Sequence, residues 1–238
     1  MRLDSYLFEK GFARSRSRAA NLIKMGFVLL NGEQATKTSV YVSENDNIKI
    51  TQPDFASLGS FKLQKAFDEF SIKVKDLVCA DIGAAHGGFS EVLLSNNAKK
   101  VYAVDVGDID FPQYLMSDKI FFLPHLNARY LSVNDIGELV DFVTIDVSFI
   151  SLKMILPSVR NILKLNGRVV ALIKPQFEAT KSQLSKKGLL KSQKTVETII
   201  ADIKEFCANN GFEVVGTINA PEYFADKNKE YLLYLRCK

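Results

Sequence analysis

Four charged residues close apolar runs in this chain of 238 residues: Asp81, Asp105, Asp146 and Lys174. Their types and spacing suit a site that holds a ribose and moves a proton. Asp81 opens the stretch Asp81-Ile-Gly83-Ala84-Ala-His86-Gly87-Gly88-Phe89. Its spacing is Gly-x-x-x-Gly, not the Gly-x-Gly-x-x-Gly of nicotinamide-binding proteins, and its glycines let backbone approach a ligand closely. A tight turn with no ligand would leave the same trace. Asp105 follows Asp81 by 24 residues, and an acid ending a second strand can accept hydrogen bonds from two ribose hydroxyls. Lys174 stands just before Pro175 at the end of an apolar run. A buried ammonium is costly unless paired. Two readings follow: an ion pair with Asp146 that serves only the fold, or a lysine kept there for chemistry.

From Lys62 onward apolar strand-like runs alternate with helical ones, the pattern of a largely parallel α/β sheet covered on both faces. Strands are expected at 77–82, 101–106, 119–123, 141–146, 168–174, 212–218 and 230–236, and helices at 62–72, 88–97, 151–163 and 193–209. Only a loop separates the last two strands, which predicts an antiparallel hairpin at one edge. Ligands of such sheets bind beyond the carboxyl ends of the strands, at the switch point.

The first 50 residues read differently. Residues 4–10 predict a short helix stopped by Gly11, and Ser15 an N-cap for a second helix over 16–25 that ends at Gly26. Ala19, Leu22 and Ile23 share one face of it, which leaves Arg16, Arg18 and Lys24 for water or a partner. Asn31-Gly32 between apolar residues signals a hairpin, and a further strand is expected near 46–50. Residues 1–24 carry six basic residues, Arg2, Lys10, Arg14, Arg16, Arg18 and Lys24, against two acids, an excess equal to the +4 of the whole chain. Such asymmetry favours a nucleic-acid partner, although a solvated basic helix face gives the same count. Residues 51–61 read as a linker.

Composition narrows the classes. With 47% hydrophobic and 24% charged residues the chain is an ordinary globular protein. Its longest apolar runs, such as 169–173, fall far short of the ~20 residues of a membrane-spanning helix. The N-terminus is too charged for a signal peptide, so a cytoplasmic protein is expected. Cys79, Cys207 and Cys237 form no Cys-x-x-Cys pair and read as reduced, buried thiols; with only His86 and His125 beside them, no structural metal is expected.

Two resemblances join these pieces. Arg2-Leu3-Asp4, Leu7, Gly11, Arg14-Ser15-Arg16, Ala19, Leu22-Ile23, Gly26, Val28, Asn31-Gly32 and Asp46-Asn-Ile48 resemble the S4 RNA-binding domain. The match implies that Arg2, Arg14, Arg16, Arg18 and Lys24 meet structured RNA through its phosphates. The remainder resembles a Rossmann-like methyltransferase of the FtsJ-like ribose 2′-O type, and the two domains together resemble the TlyA, or hemolysin A-like, family. That resemblance rests on the Asp81–Phe89 loop, Ala103-Val-Asp-Val106-Gly107, Asn127-Ala-Arg129, Asp146-Val-Ser-Phe-Ile-Ser151, Ala171-Leu-Ile-Lys-Pro-Gln-Phe-Glu178 and Asn228-Lys-Glu-Tyr-Leu232.

The resemblance implies S-adenosylmethionine as cofactor, with Asp81, Gly83, Ala84, His86, Gly87, Gly88, Phe89, Asp105, Val106, Asn127 and Asp146 around it. It implies a Lys-Asp-Lys-Glu tetrad of Lys62, Asp146, Lys174 and Glu230. In that tetrad Lys174 activates the hydroxyl, Asp146 and Glu230 orient it, and Lys62 adds positive potential. It implies ribosomal RNA or a ribosomal subunit as partner, methylation of cytidine ribose as reaction, and no need of a metal or membrane. The chain departs from the family where Ser57-Leu58-Gly59-Ser60 replaces Ser-Arg-Gly-Gly, where only Gly188 survives of a glycine-rich run, and at His86. A catalytically idle ribosome-binding protein and a membrane-active hemolysin are the competing readings. The intact tetrad opposes the first. The lack of a secretion signal or a suitable amphipathic helix opposes the second.

Overall fold

The computed structural model describes residues 1–51, 57–107, 113–223 and 227–238, in two compact units, Met1–Phe55 and Ala56–Lys238. In the first unit, helices α1 (Leu3–Glu9) and α2 (Arg16–Lys24) precede strands β1 (Val28–Leu30), β2 (Glu33–Gln34) and β3 (Ile48–Ile50). Ser15 caps α2 by accepting from the Arg18 amide, and Ala19, Leu22 and Ile23 are its buried face. Asn31 and Gly32 take φ of 53° and 88°, the left-handed pair that a two-residue hairpin turn requires, and set Leu30 opposite Glu33. Strand β1 lies between β2 and β3, antiparallel to both.

The second unit begins earlier than expected. Residues 58–61, expected as linker, form the first turn of α3 (Leu58–Phe70), with Ser57 as N-cap accepting from the Gly59 amide. Residues 52–56 of that linker lie outside the described residues. Gly59 and Ser60 look like loop residues in the sequence, yet they are small because α3 is pressed against its neighbours there. The Ser60 hydroxyl is buried and donates to the Gly88 carbonyl, and a side chain at Gly59 would meet Asp146.

The chain continues through β4 (Val78–Ile82), α4 (Gly88–Ser95), β5 (Lys100–Val104), β6 (Ile120–Leu123), α5 (Val133–Ile136), β7 (Val140–Ile145) and α6 (Leu156–Ile162). It ends with β8 (Leu163–Ile173), α7 (Pro175–Glu178), α8 (Gln193–Asn209), β9 (Phe212–Asn219) and β10 (Tyr231–Cys237). The seven strands lie in the order β6-β5-β4-β7-β8-β10-β9. The pairings of β6, β5, β4, β7 and β8 are parallel. Strand β10 runs antiparallel to both neighbours and sits inside the sheet rather than at its rim, leaving β9 as the edge.

Strands β4 and β7 and the second half of β8, residues 169–173, are covered on both faces, so they read as largely apolar runs rather than alternating ones. In α8 the stripe Val196, Ile199, Ile203 and Cys207 packs on the sheet. The helix expected over 151–163 is a short 3-10 turn at Leu152–Met154 followed by α6, and Leu163 already belongs to β8. Strand β8 then bulges, its register with β7 jumping from Val140↔Leu163 to Phe142↔Arg168. All three cysteines are buried free thiols.

Fully buried Phe142 on β7 meets Phe67 of α3 edge-on, ring centroids 5.9 Å apart, and so docks α3 on the sheet. Phe142→Ala is expected to cost about 3–5 kcal/mol, the usual loss for a buried aromatic, read as a lower urea midpoint at unchanged slope.

Candidate active site

The sheet reverses its strand order at β4, which is flanked by β5 and β7. Beyond the carboxyl ends of these strands lies a cleft of about 480 Å³. Gly83 and Ala85 of the glycine loop, Asp105 and Val106 after β5, Asn127 and Arg129, and Asp146 with Val147 to Ile150 after β7 border it. Gly83 has φ +83°, and a Cβ there would collide with the Asp146 carbonyl oxygen, so only glycine lets the loop lie against β7. Asp105 is held in place by backbone: its Oδ2 accepts from the Ala85 amide at 2.9 Å and its Oδ1 from the Gly107 amide at 2.8 Å. Each oxygen keeps a lone pair for a hydroxyl in the cleft. Asn127 accepts from the Arg129 amide and is exposed.

Several expected cofactor residues stand behind this lining. Asp81 is fully buried and its oxygens accept from Ser90 at 2.7 Å and Thr144 at 2.8 Å. It ties β4 to α4 and β7 beneath the cleft instead of facing a ligand. Ala84, Gly87, Gly88 and Phe89 are also buried, and a Cβ on Gly88 would collide with Ser57 Oγ. Their role is close packing of loop and helix. His86 is exposed and outside the lining of the cleft.

The four charged residues of the expected tetrad meet at one edge of the sheet as two ion pairs. Lys174 Nζ lies 2.6 Å from Asp146 Oδ1 and donates to Ser148 Oγ at 3.0 Å. The approach to Asp146 is off-axis, so this is a charge contact more than an aligned hydrogen bond. Lys62 Nζ donates to Glu230 Oε2 at 2.6 Å, with both side chains less than one-fifth exposed. Topology explains the meeting. Asp146 and Lys174 are the first residues beyond β7 and β8. The register Tyr231↔Ile173, carried one step further, sets Glu230 across from Lys174. In α3, Gly59, where a Cβ would meet Asp146, comes one turn before Lys62, which reaches Glu230.

A second cavity of about 520 Å³ adjoins the Lys62–Glu230 pair, bordered also by Gln176, Phe177, Lys187, Tyr223 and Lys227. Phe149 borders both cavities. It is 90% exposed at φ +62° and leans on Phe177 at 4.9 Å. A bulky residue held in that backbone region marks a built feature. The Gln176 Oε1 is buried with no partner. Burial pushes the Tyr223 phenol up to about 12, so it stays a donor at neutral pH. Phe149 and Gln176 belong to two of the sequence motifs, yet nothing in their type or spacing marks them as site residues; only the fold shows which cavities they border.

In the first unit, buried Asp4 gathers two guanidinium groups. Arg2 grips it at 3.1 and 3.0 Å and Arg16 reaches it at 3.4 Å. The Arg2 hydrogen bond holds the Asp4 carboxyl below its ordinary range. Arg14, Arg16 and Lys24 are exposed, and Arg2 and Arg18 half-buried.

Known proteins resemble this chain. Residues 55–237 match the FtsJ-like methyltransferase model, and residues 1–48 match the S4 domain. The chain belongs to the FtsJ-like methyltransferase family. It is 35% identical over 99% of its length to the 16S/23S rRNA (cytidine-2′-O)-methyltransferase TlyA of Mycobacterium tuberculosis, 89% of which is covered. It is 37% identical to Hemolysin A of Brachyspira hyodysenteriae, covering 98% of this chain and 99% of that one. A solved structure of a hemolysin candidate from Streptococcus thermophilus aligns over all of this chain and 88% of its own, at 35% identity and a TM-score of 0.76. Among the described residues of this FtsJ-like chain, no helix is long and apolar enough to cross a membrane.

Burial raises Asp81 from 3.8 to about 6. A carboxyl whose folded pKa is raised is easier to ionise unfolded, so the fold loses stability as pH climbs from about 4 to about 6 and nothing further above that. Asp81→Asn keeps partners for Ser90 and Thr144 without the charge. The variant is expected to gain on wild type across that window by about 3 kcal/mol, levelling off by pH 7; a difference in unfolding free energy that does not change with pH would count against it.

Proposed function

We propose that this protein transfers the methyl group of S-adenosylmethionine to the ribose 2′-hydroxyl of a cytidine in ribosomal RNA. The observation that carries the reading is the Lys174–Asp146 pair: Asp146 borders the Asp105 cleft, and Lys174 Nζ reaches Ser148 of that cleft at 3.0 Å and lies 5.9 Å from the centre of the Phe177 ring, which borders the Lys62–Glu230 cavity. The full-length similarity to a named rRNA cytidine-2′-O-methyltransferase supports the substrate.

The residues of the first cleft fit the cofactor. Asp105 would accept from its ribose hydroxyls, the bare backbone at Gly83 leaves room beside β7, and apolar Val106, Leu126, Ile150 and Ile155 would enclose its base. When bound, the cofactor supplies an electrophilic methyl group, so the protein has to position the acceptor, exclude water and remove one proton.

Lys174, after giving one proton of its ammonium to solvent, takes the proton of the 2′-hydroxyl at Nζ as the neutral amine. Asp146 and Ser148 fix the direction of that nitrogen, and the Asp146 carboxylate balances its charge once protonated. Lys62, held by Glu230, faces the second cavity and offers positive potential to the ribose and its phosphate. The exposed Phe149 ring would stack on a base drawn out of its helix. In the first unit, Arg2, Arg14, Arg16, Arg18 and Lys24 contact RNA phosphates.

Lys174→Ala is expected to lower methyl transfer to rRNA by ~10²–10⁴-fold, the usual weight of a positioned base, with cofactor and RNA binding retained. Lys174→Arg should not restore it, because guanidinium holds its proton. Near wild-type incorporation of labelled methyl groups by a folded Lys174→Ala protein would overturn the assignment. Asp105→Ala is expected to weaken S-adenosylmethionine binding by about 1–3 kcal/mol in titration calorimetry. The same affinity in that variant would place the ribose elsewhere.

A further inference from the structure

The methyltransferase unit carries a dense positive stretch of its own. Residues 179–195 contain Lys181, Lys186, Lys187, Lys191 and Lys194 and no acid at all. The stretch is a folded arm. Leu184 bridges Leu190, the Gly188 amide donates to the Ser185 carbonyl at 2.9 Å, and the Ser185 amide to the Leu189 carbonyl at 2.8 Å, which puts Lys186 and Lys187 at an exposed tip. Asn228 clips the arm from across the cavity: its Nδ2 donates to the Gly188 carbonyl and its Oδ1 accepts from the Leu190 amide, both at 2.9 Å. Asn228 is two residues before Glu230, so the clip ties the arm to the segment that leads through Glu230 into β10.

Lys187 and Lys227 border the second cavity together with Lys62 and Glu230. Lys191, Lys227 and Lys229 border a smaller one beside it. The acids nearby are engaged: Glu230 with Lys62, Glu222 with Lys229 at 3.2 Å, and Glu178 with Ser151 and the Leu152 amide. Among the described residues no carboxylate pairs with Lys181, Lys186 or Lys187. The arm's leucines, Leu184, Leu189 and Leu190, are turned partly inward, so its exposed tip is cationic without being apolar. That favours a polyanion bound by phosphates over a lipid surface, which needs apolar side chains to insert.

We propose that this arm, with Lys227 and Lys229, is a second RNA-binding surface, which grips the backbone phosphates of the strand carrying the target nucleotide at the mouth of the second cavity. The proposal rests on the reading of that cavity as the RNA substrate site. It assigns to the methyltransferase unit a grip of its own, independent of the S4 unit. Lysines suit the task, since each is a mobile point charge that follows a backbone without reading bases.

The test uses the full-length protein, unmethylated 16S and 23S rRNA transcripts, and the variant Lys181→Gln/Lys186→Gln/Lys187→Gln. Filter binding over a salt series is expected to show affinity lower by roughly tenfold, with the slope of log K against log salt shallower by about 0.7–0.9 for every phosphate the variant no longer neutralises. KM for RNA should rise, kcat should hold within about twofold, and S-adenosylmethionine affinity should not move, because uniform binding is what such lysines supply. The matching triple arginine variant should bind as wild type, since charge and not lysine shape is at work; should the glutamine triple misfold, Lys186→Gln/Lys187→Gln at the tip serves in its place. Unchanged RNA affinity and salt slope in the glutamine variants would overturn the proposal. So would loss of binding to phosphatidylglycerol vesicles with rRNA binding intact. If wild type binds rRNA through these lysines yet transfers no methyl group, the catalytic reading fails and the surface stands.

Discussion

An ammonium group 11% exposed at the end of a buried strand has to be matched in charge, or the strand end cannot stay where it is. Lys174 imposes that requirement, and much of the site answers it. Asp146 must leave β7 beside the point where Lys174 leaves β8, which the parallel pairing of those strands guarantees. The glycine loop must then pass directly over Asp146, which it does only because position 83 has no side chain. Glu230 enters across from Lys174 because β10 runs antiparallel inside the sheet. With two lysines and two carboxylates at one edge, Lys62 pairing with Glu230 keeps the local charge balanced.

The same constraint divides the site in two. In the cleft beyond β4 and β5, Asp146 is charge-matched by Lys174, whereas Asp105 is held from behind by backbone amides and open in front. Such a carboxylate asks for neutral hydroxyl donors. The neighbouring cavity is rimmed by lysines and aromatic rings, a setting for phosphate and base. Phe149 stands between them, exposed, on backbone that disfavours its side chain. Evolution has no packing reason to hold a phenyl ring in water at positive φ, whereas stacking against a base would repay it. Asp81 works at a third depth. Burial makes its charge costly to the fold, but its two oxygens join β4, α4 and β7 under the loop.

Strand-end chemistry is legible in the sequence because a charged residue that closes an apolar run has few places to be. Asp105, Asp146 and Lys174 stand one residue beyond their strands, as such residues should. The α8 stripe and the Asn31-Gly32 turn are legible for similar reasons: helical period and turn geometry are local properties. What escapes is non-local. Gly59 and Ser60 read as linker because smallness and looseness look alike until the surface pressed against them is known. Asp81 reads as a ligand contact because sequence does not reveal which strand-end carboxylate faces the cleft and which faces its own neighbours. The lysine arm vanishes in a net charge summed over all residues after 24, where acids elsewhere cancel it. Electrostatic recognition depends on where charges are placed, not on their sum.

Energetics explain why such an enzyme needs to hold RNA far from the reacting atoms. Drawing a nucleotide out of its stack costs a few kcal/mol. One ring such as Phe149 returns about 1–3 kcal/mol by stacking, and Lys62 is already committed to Glu230. The catalytic edge therefore cannot hold its substrate by itself, and interactions with non-reacting parts of the RNA must supply the difference. Phosphate contacts are suited to this, since they are identical before and after methylation. They hold substrate and product equally, so affinity placed in exposed lysines and arginines raises binding without shifting the balance of the chemical step itself.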